Sequence, residues 1–308
     1  MHGNHQHVTL REVGLRDGLQ SIKDIMPTRG KLAWIEAEFA AGVKEIEVCS
    51  FVPTKLMPQF ADAAEVVRHA LTLKGLTVAA LVPNRRGAET GLELGVHKLN
   101  YVLSASESHN LANVRRTREE SMQGFAELGA VVKGTSTQLV GCISTALGCT
   151  IEGAIDVNEV VKLAQQYATL GANEIVIADT VGYANPSSVT HTVQAVRRVT
   201  GDLPLALHLH DTRGLGLANV LAGLNAGIRH FDAALGGMGG CPHAPGASGN
   251  IVSEDLAFLL ASSGWDTGID LPALIKVRDI VKQSLPDTEL LGAVAKAGLP
   301  RTWAPRPK

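Results

Sequence analysis

Short β-type runs alternate with longer stretches of helical apolar spacing about eight times along the chain, and this repeat narrows the possible folds more than any other feature. The runs fall at 8–13, 44–49, 76–82, 97–103, 136–143, 173–178, 204–209 and 230–235. Between them, apolar residues recur every three to four positions at 30–41, 60–73, 116–132, 156–170, 186–200 and 214–226. Several of these stretches end in glycine (Gly42, Gly95, Gly171, Gly227), which supplies the left-handed residue that stops a helix at little cost. A repeated strand–helix unit implies a parallel sheet with right-handed crossovers. Such a sheet is either closed into a barrel or left open and doubly wound. No Gly-x-Gly-x-x-Gly follows the first run, which disfavours the dinucleotide-binding open sheet. Polar residues instead collect at the carboxyl ends of separate runs: Arg16 and Asp17 after the first, Glu47 in the second, Asp179 after the sixth, His208 and His210 at the seventh. In a barrel those ends converge on one face, where activity resides. The expectation is an α/β chain folded as a (β/α)8 TIM barrel. It is a single domain over 8–285 that includes an extra C-terminal helix (271–284), with a mobile N-terminus at 1–7 and a C-terminal tail at 286–308.

Hydrophobic residues make up 45% of the 308 and charged residues 19%, enough apolar material for a large core and too little charge for disorder. A net charge of −2 gives no reason to expect nucleic acid or an anionic membrane surface as partner, while leaving room for an anionic small substrate. The four cysteines (Cys49, Cys142, Cys149, Cys241) form no Cys-x-x-Cys pair and read as free thiols in a reducing compartment. The first seven residues are polar, so no secretory signal is expected, and His2, His5 and His7 are read as part of a functionally silent end. No apolar stretch is long enough to span a bilayer. A soluble, cytoplasmic protein is expected.

Three segments carry chemistry. In Leu207-His208-Leu209-His210-Asp211-Thr212 the histidines are two apart in a strand and face the same way, as a pair of metal ligands or as a stacked structural pair. Arg16-Asp17 lies where the first strand should stop, flanked by Gly14 and Gly18. It reads as a surface ion pair or, with a carboxylate beside two imidazoles, as part of a mixed oxygen and nitrogen site suited to Mg²⁺ or Mn²⁺. Residues 236–250 hold six glycines and two prolines in a long loop after the eighth run, and such loops are often lids. Cys241 rides on it. A lone cysteine is usually inert packing, but a thiol on a loop at the active face can reach a substrate.

These motifs, taken with Ile46-Glu47-Val48-Cys49-Ser50, Ala146-Leu147-Gly148-Cys149, Asp179-Thr180-Val181-Gly182 and Gly-Gly-Cys241-Pro-His-Ala-Pro-Gly-Ala-Ser-Gly-Asn250, resemble the hydroxymethylglutaryl-CoA lyase family over roughly 8–285. The condensing synthases of the wider superfamily share Arg-Asp and His-x-His but carry a different segment at the cysteine loop and further C-terminal domains. The resemblance implies one divalent cation, Mg²⁺ or Mn²⁺, held by Asp17, His208, His210 and Asn250. It also implies an acyl-CoA substrate cleaved by a retro-Claisen (retro-aldol type) reaction. Arg16 would meet the developing enolate, either Asp17 or a metal-bound water would take the carbinol proton, Cys241 would sit near the reacting carbon and Glu47 would support the site. A homodimer is implied by analogy of fold. The chain departs from the family in one place: Val140-Gly141-Cys142 stands where the family has Arg-Gly-Tyr, which leaves citramalyl-CoA or a longer 3-hydroxy-3-alkylacyl-CoA as alternatives to hydroxymethylglutaryl-CoA. Arg115 and Arg116 are read either as partners of CoA phosphates or as helix-surface charge.

Overall fold

Strands of four to seven residues, each bounded within two residues of an expected run, make up the sheet: β1 (Thr9–Glu12), β2 (Glu45–Ser50), β3 (Thr77–Leu81), β4 (Lys98–Ser104), β5 (Gln138–Ser144), β6 (Glu174–Asp179), β7 (Leu205–Leu209) and β8 (His230–Ala233). The structure, a computed structural model, describes residues 7–240 and 249–303. Each strand pairs in parallel with the next, and β8 pairs with β1, so the sheet closes. The chain is a (β/α)8 barrel. Cys241 and residues 1–6 lie outside the described residues.

The helices are α1 (Thr28–Ala40), α2 (Ala63–Ala70), α3 (Arg85–Leu94), α4 (Glu107–Val114), α5 (Arg118–Val132), α6 (Val157–Thr169), α7 (Pro186–Thr200), α8 (Gly216–Asn225), α9 (Ser253–Ser262), α10 (Leu271–Ser284) and α11 (Ala293–Ala297). Among the helices outside the expected apolar stretches are α3, a polar helix with two glycines that the sequence marks only by its stop at Gly95, and α4. Their caps identify them: Asn84 accepts from Gly87 N–H (3.1 Å), and Ser106 accepts from His109 N–H (3.0 Å). Beyond 285 the chain folds back. Leu291 N–H bonds the Gly236 carbonyl (2.8 Å), and α11 packs beside α9. No described helix is long and apolar enough to cross a membrane.

Alternation along the strands divides the side chains between the barrel interior and the helix layer. The outer layer is mostly apolar, with Trp34, Phe125, Tyr167 and Phe231 all fully buried. The interior is layered. At its amino end Arg11 is tied to Asp232 (2.7 Å) and to Glu174, and Lys98 bonds Glu45 (2.9 Å) and Glu174 (3.0 Å). One step toward the carboxyl ends, Val140, Val176 and Ala206 form a small apolar plug with Cys142. The carboxyl-end face lies above that plug.

Candidate active site

Between β1 and α1 the chain makes one wide turn, Gly14–Gly18, in which the Gly18 N–H reaches back five residues to the Val13 carbonyl (3.3 Å). Turns of this π type recur at functional sites. The glycines flanking Arg16-Asp17 answer to close packing. A Cβ on Gly14 would lie 2.6 Å from Glu12 Oε1 and 2.9 Å from the Trp34 ring, and one on Gly18 would lie 2.9 Å from Met238 Cβ. The turn is thereby pressed against the barrel, with Asp17 buried and Arg16 nearly so.

The structure brings together the expected carboxylate and histidines. One oxygen of Asp17 and one ring nitrogen each of His208 and His210 lie within 4.8 Å of one another. Asp17 Oδ2 is 4.0 Å from both Nε2 atoms, which stand 3.1 Å apart. Asp232 Oδ2 contacts His208 Nδ1 (3.2 Å), so Nε2 is the nitrogen left for the site, an orientation common among metal-binding histidines. Asn250 lies alongside, its amide donating to Asp17 Oδ2 (2.7 Å) and to the Met238 carbonyl (3.0 Å).

This donor set fits a divalent cation. Two imidazole nitrogens face one another, while His210 Nδ1 and Asn250 Oδ1 are buried with no hydrogen-bond partner. Buried polar groups are seldom left so. Mixed oxygen and nitrogen ligands suit Mg²⁺ or Mn²⁺. Electrostatics favour an ionised carboxylate and one neutral imidazole. Burial pushes the Asp17 carboxyl up, but the charges of Arg16, His208 and His210 outweigh it and hold the group below its ordinary value. Burial and the neighbouring charge of His208 push His210 down to about 4, so it is a neutral imidazole near pH 7. Burial opposes protonation of His208 as well, yet Asp232 and Asp17 raise it on balance.

Arg16 bridges the turn to β2, with its Nε on Glu47 Oε2 (2.5 Å) and its Nη1 on Asp17 Oδ1 (2.7 Å). Asn100 on β4 holds the other Glu47 oxygen (2.8 Å). These groups line one side of a cavity of about 610 Å³. Its other side, from β4 to β6, is more apolar, with Val102, Cys142, Val176 and Ala178. Arg115 and Arg116 also line the cavity. They sit between α4 and α5, where Arg115 caps α4 in the left-handed region (φ 57°), which is unusual for a side chain of its size.

Asp179 stands apart from this cluster. Its carboxylate accepts the Tyr183 (2.8 Å) and Ala184 (3.1 Å) amides and organises the loop after β6. Sequence reasoning did not single out Asp232 or Asn100. Each is a polar residue in a strand otherwise rich in apolar positions, and that was the available signal. Where Cys241 stands relative to the cavity falls outside the described residues.

The model of the family described as HMGL-like matches residues 7–281. A hydroxymethylglutaryl-CoA lyase of Bacillus subtilis is 36% identical over 278 residues, covering 90% of this chain and 93% of that protein. An (R)-citramalyl-CoA lyase of Chloroflexus aurantiacus is 39% identical over 301 residues, with 94% and 95% covered. Among solved structures, an HMG-CoA lyase of Acinetobacter baumannii in complex with coenzyme A and 3-methylmalate superposes with a TM-score of 0.92 at 42% identity, covering 100% of each chain.

Proposed function

This chain belongs to the HMGL-like family, and from that premise we propose that it is a carbon–carbon lyase that cleaves hydroxymethylglutaryl-CoA to acetoacetate and acetyl-CoA with the help of one divalent cation. The observation that carries the reading is the convergence of Asp17, His208 and His210 on one point of a cavity that also holds Arg16. Asp17, His208, His210 and Asn250 would hold the ion, Mg²⁺ or Mn²⁺. When bound, it supplies Lewis acidity that lowers the pKa of the substrate's carbinol.

The protein's own groups perform the rest. Asp17 accepts the carbinol proton. The electron pair of the breaking C–C bond moves onto the thioester fragment, leaving a keto acid and the enolate of acetyl-CoA. The Arg16 guanidinium, aimed by Glu47 and Asp17, meets the negative charge as it develops on the enolate oxygen. The Cys241 thiol protonates the enolate carbon, and the proton held by Asp17 returns to the thiolate to close the cycle. Glu47 sets the angle of Arg16, and Asn100 sets that of Glu47. Arg115 and Arg116 at the cavity wall would meet CoA phosphates. The same reading takes 8–285 as the catalytic unit, a cytoplasmic location and a homodimer.

A second acyl group is favoured by a specific observation. Val140 and Cys142, which stand where the family resemblance places a cation and an aromatic hydroxyl, belong instead to a small apolar plug with Val176 and Ala206, and a relative with 39% identity is a citramalyl-CoA lyase. Citramalyl-CoA would yield pyruvate and acetyl-CoA by the same steps. The test is acetyl-CoA release from each substrate in parallel, with Mg²⁺ and with EDTA. Release abolished by EDTA supports the metal-dependent lyase, and the ratio of kcat/KM ranks the acyl groups. Release that EDTA leaves untouched would overturn the metal's role.

A further inference from the structure

Glu12 stands on the face of β1 opposite Arg11, so it looks out of the barrel into the layer between sheet and helices, where it is fully buried. Its carboxylate is a junction. Oε1 accepts hydrogen bonds from the Gly14 N–H (2.7 Å) and the Leu235 N–H (3.0 Å), and Oε2 accepts one from the Ser253 hydroxyl (2.7 Å). Gly14 opens the turn that carries Arg16 and Asp17. Leu235 immediately precedes the glycine-rich segment, and Ser253 opens α9 three residues after Asn250. A neighbouring buried glutamate, Glu254, takes the next amide, Gly236 N–H (3.0 Å), and is matched by Arg278 from α10 (2.5 Å).

What faces Glu12 is another acid. Glu38 on α1 is also fully buried, with the Trp34 indole beside it and the charges of Glu12 and Glu254 directed at it. Neither Glu38 oxygen has a well-formed hydrogen bond to a donor. Buried glutamates are rare unless paired, and two carboxylates in one dry pocket do not both ionise. Burial, then mutual repulsion, pushes Glu38 well up, and burial raises Glu12 by less.

We propose that Glu12 is a positioning residue of this site and that Glu38 is its partner, the two carboxyl groups holding one proton between them. Glu38 is the neutral acid and donates its O–H to Glu12. Glu12 is thereby kept as the acceptor that ties together the segments bearing Asp17 and Asn250. The pair acts through the backbone and touches neither substrate nor ion. The kinetic part of the proposal rests on the lyase reading; the other two measurements do not.

The first measurement compares melting temperature against pH for the wild type and Glu38→Gln, whose amide keeps a donor and cannot ionise. A raised folded-state value means that the protonated acid stabilises the fold below its ordinary value of 4.5 and that this contribution is lost as pH rises. Glu38→Gln is therefore expected to gain on the wild type steadily as pH rises above the ordinary value of 4.5. A difference that does not change with pH overturns the shared proton. The second measurement is Mn²⁺ affinity, read by electron paramagnetic resonance with the metal alone. Glu12→Gln is expected to weaken it about 10–100-fold, the usual effect of losing an outer support, with Glu12→Asp recovering part of the loss. Unchanged affinity in folded Glu12→Gln overturns the positioning role. If that variant fails to fold, Ser253→Ala removes a single bond to Glu12 and should weaken Mn²⁺ measurably; no change there overturns the role equally. With an active acyl-CoA, kcat should fall in Glu12→Gln while KM moves little, and the reverse pattern counts against positioning. Absence of lyase activity would sink the functional reading and leave the melting and Mn²⁺ results to decide this one.

Discussion

Replacing Arg16 with glutamine separates transition-state stabilisation from scaffolding. In the ground state the guanidinium makes two charge-assisted bonds, to Glu47 at 2.5 Å and to Asp17 at 2.7 Å, with side chains 12%, 3% and 11% exposed respectively. Removing it leaves Glu47 with the Asn100 amide alone. Breaking one side of a buried pair costs about 3–5 kcal/mol, and a glutamine amide returns about 1 kcal/mol through one neutral bond. The net loss of about 2–4 kcal/mol converts to a fall in Tm of roughly 4–16 °C at about 2–4 °C per kcal/mol. The lower end is expected because Glu47 faces the cavity. Chemistry suffers more. Donors aimed at a developing oxyanion are worth about 2.7–4 kcal/mol, so kcat should fall by about 10²–10³ with KM little changed. Mn²⁺ affinity should hold or tighten, since a cation beside Asp17 has been removed. The assay is acetyl-CoA release at saturating Mg²⁺, with circular dichroism melting and Mn²⁺ titration on the same preparation. A folded variant turning over within about threefold of the wild type would refute the role given to Arg16. Lost Mn²⁺ binding would recast it as scaffold.

Three further outcomes follow from particular contacts. A Cβ on Gly141 would lie 2.6–2.8 Å from three Tyr167 ring carbons, and Phe125 backs that ring with centroids 4.5 Å apart; Gly141→Ala should therefore cost about 1–3 kcal/mol as overpacking, visible as a lower urea midpoint. Burial pushes Glu174 up, but Arg11 and Lys98 prevail and hold it below its ordinary value of 4.5, so its contribution is full above about that pH and is lost as pH falls further. Glu174→Gln should then cost about 3–5 kcal/mol at pH 7 and progressively less as pH falls below 4.5; a penalty that stays constant with falling pH would contradict the ion-pair account. Arg115→Gly relieves a left-handed residue while removing a cation from the cavity wall, so Tm should rise slightly and KM for the acyl-CoA should rise with it. A higher Tm with unchanged KM would return Arg115 to the surface charges.

The sequence alone determined the architecture, because strand and helix periods are local properties and each of the eight runs carried its own boundary signals. It also determined that His208 and His210 in β7 share a face, since they are two apart on a strand. Asp17 was legible as a candidate because it falls where β1 ends. Its nearness to those histidines, about 190 residues away in the chain, was settled only by closure of the barrel between β1 and β8. Tertiary structure alone decided the supporting cast. Asp232 orients His208 because β7 and β8 pair in a register that sets them side by side, and Asn100 on β4 reaches Glu47 on β2 across the barrel interior, neither of which a single run encodes. The helices that periodicity passed over, α3 and α4, are stabilised by side-chain caps and by packing on the sheet more than by an apolar stripe. Glu38 marks the limit most clearly. In the chain it reads as an ordinary helix-surface charge, and only the packing of α1 in the finished fold buries it near Glu12 and Glu254, since burial is a property of what a residue meets across the fold.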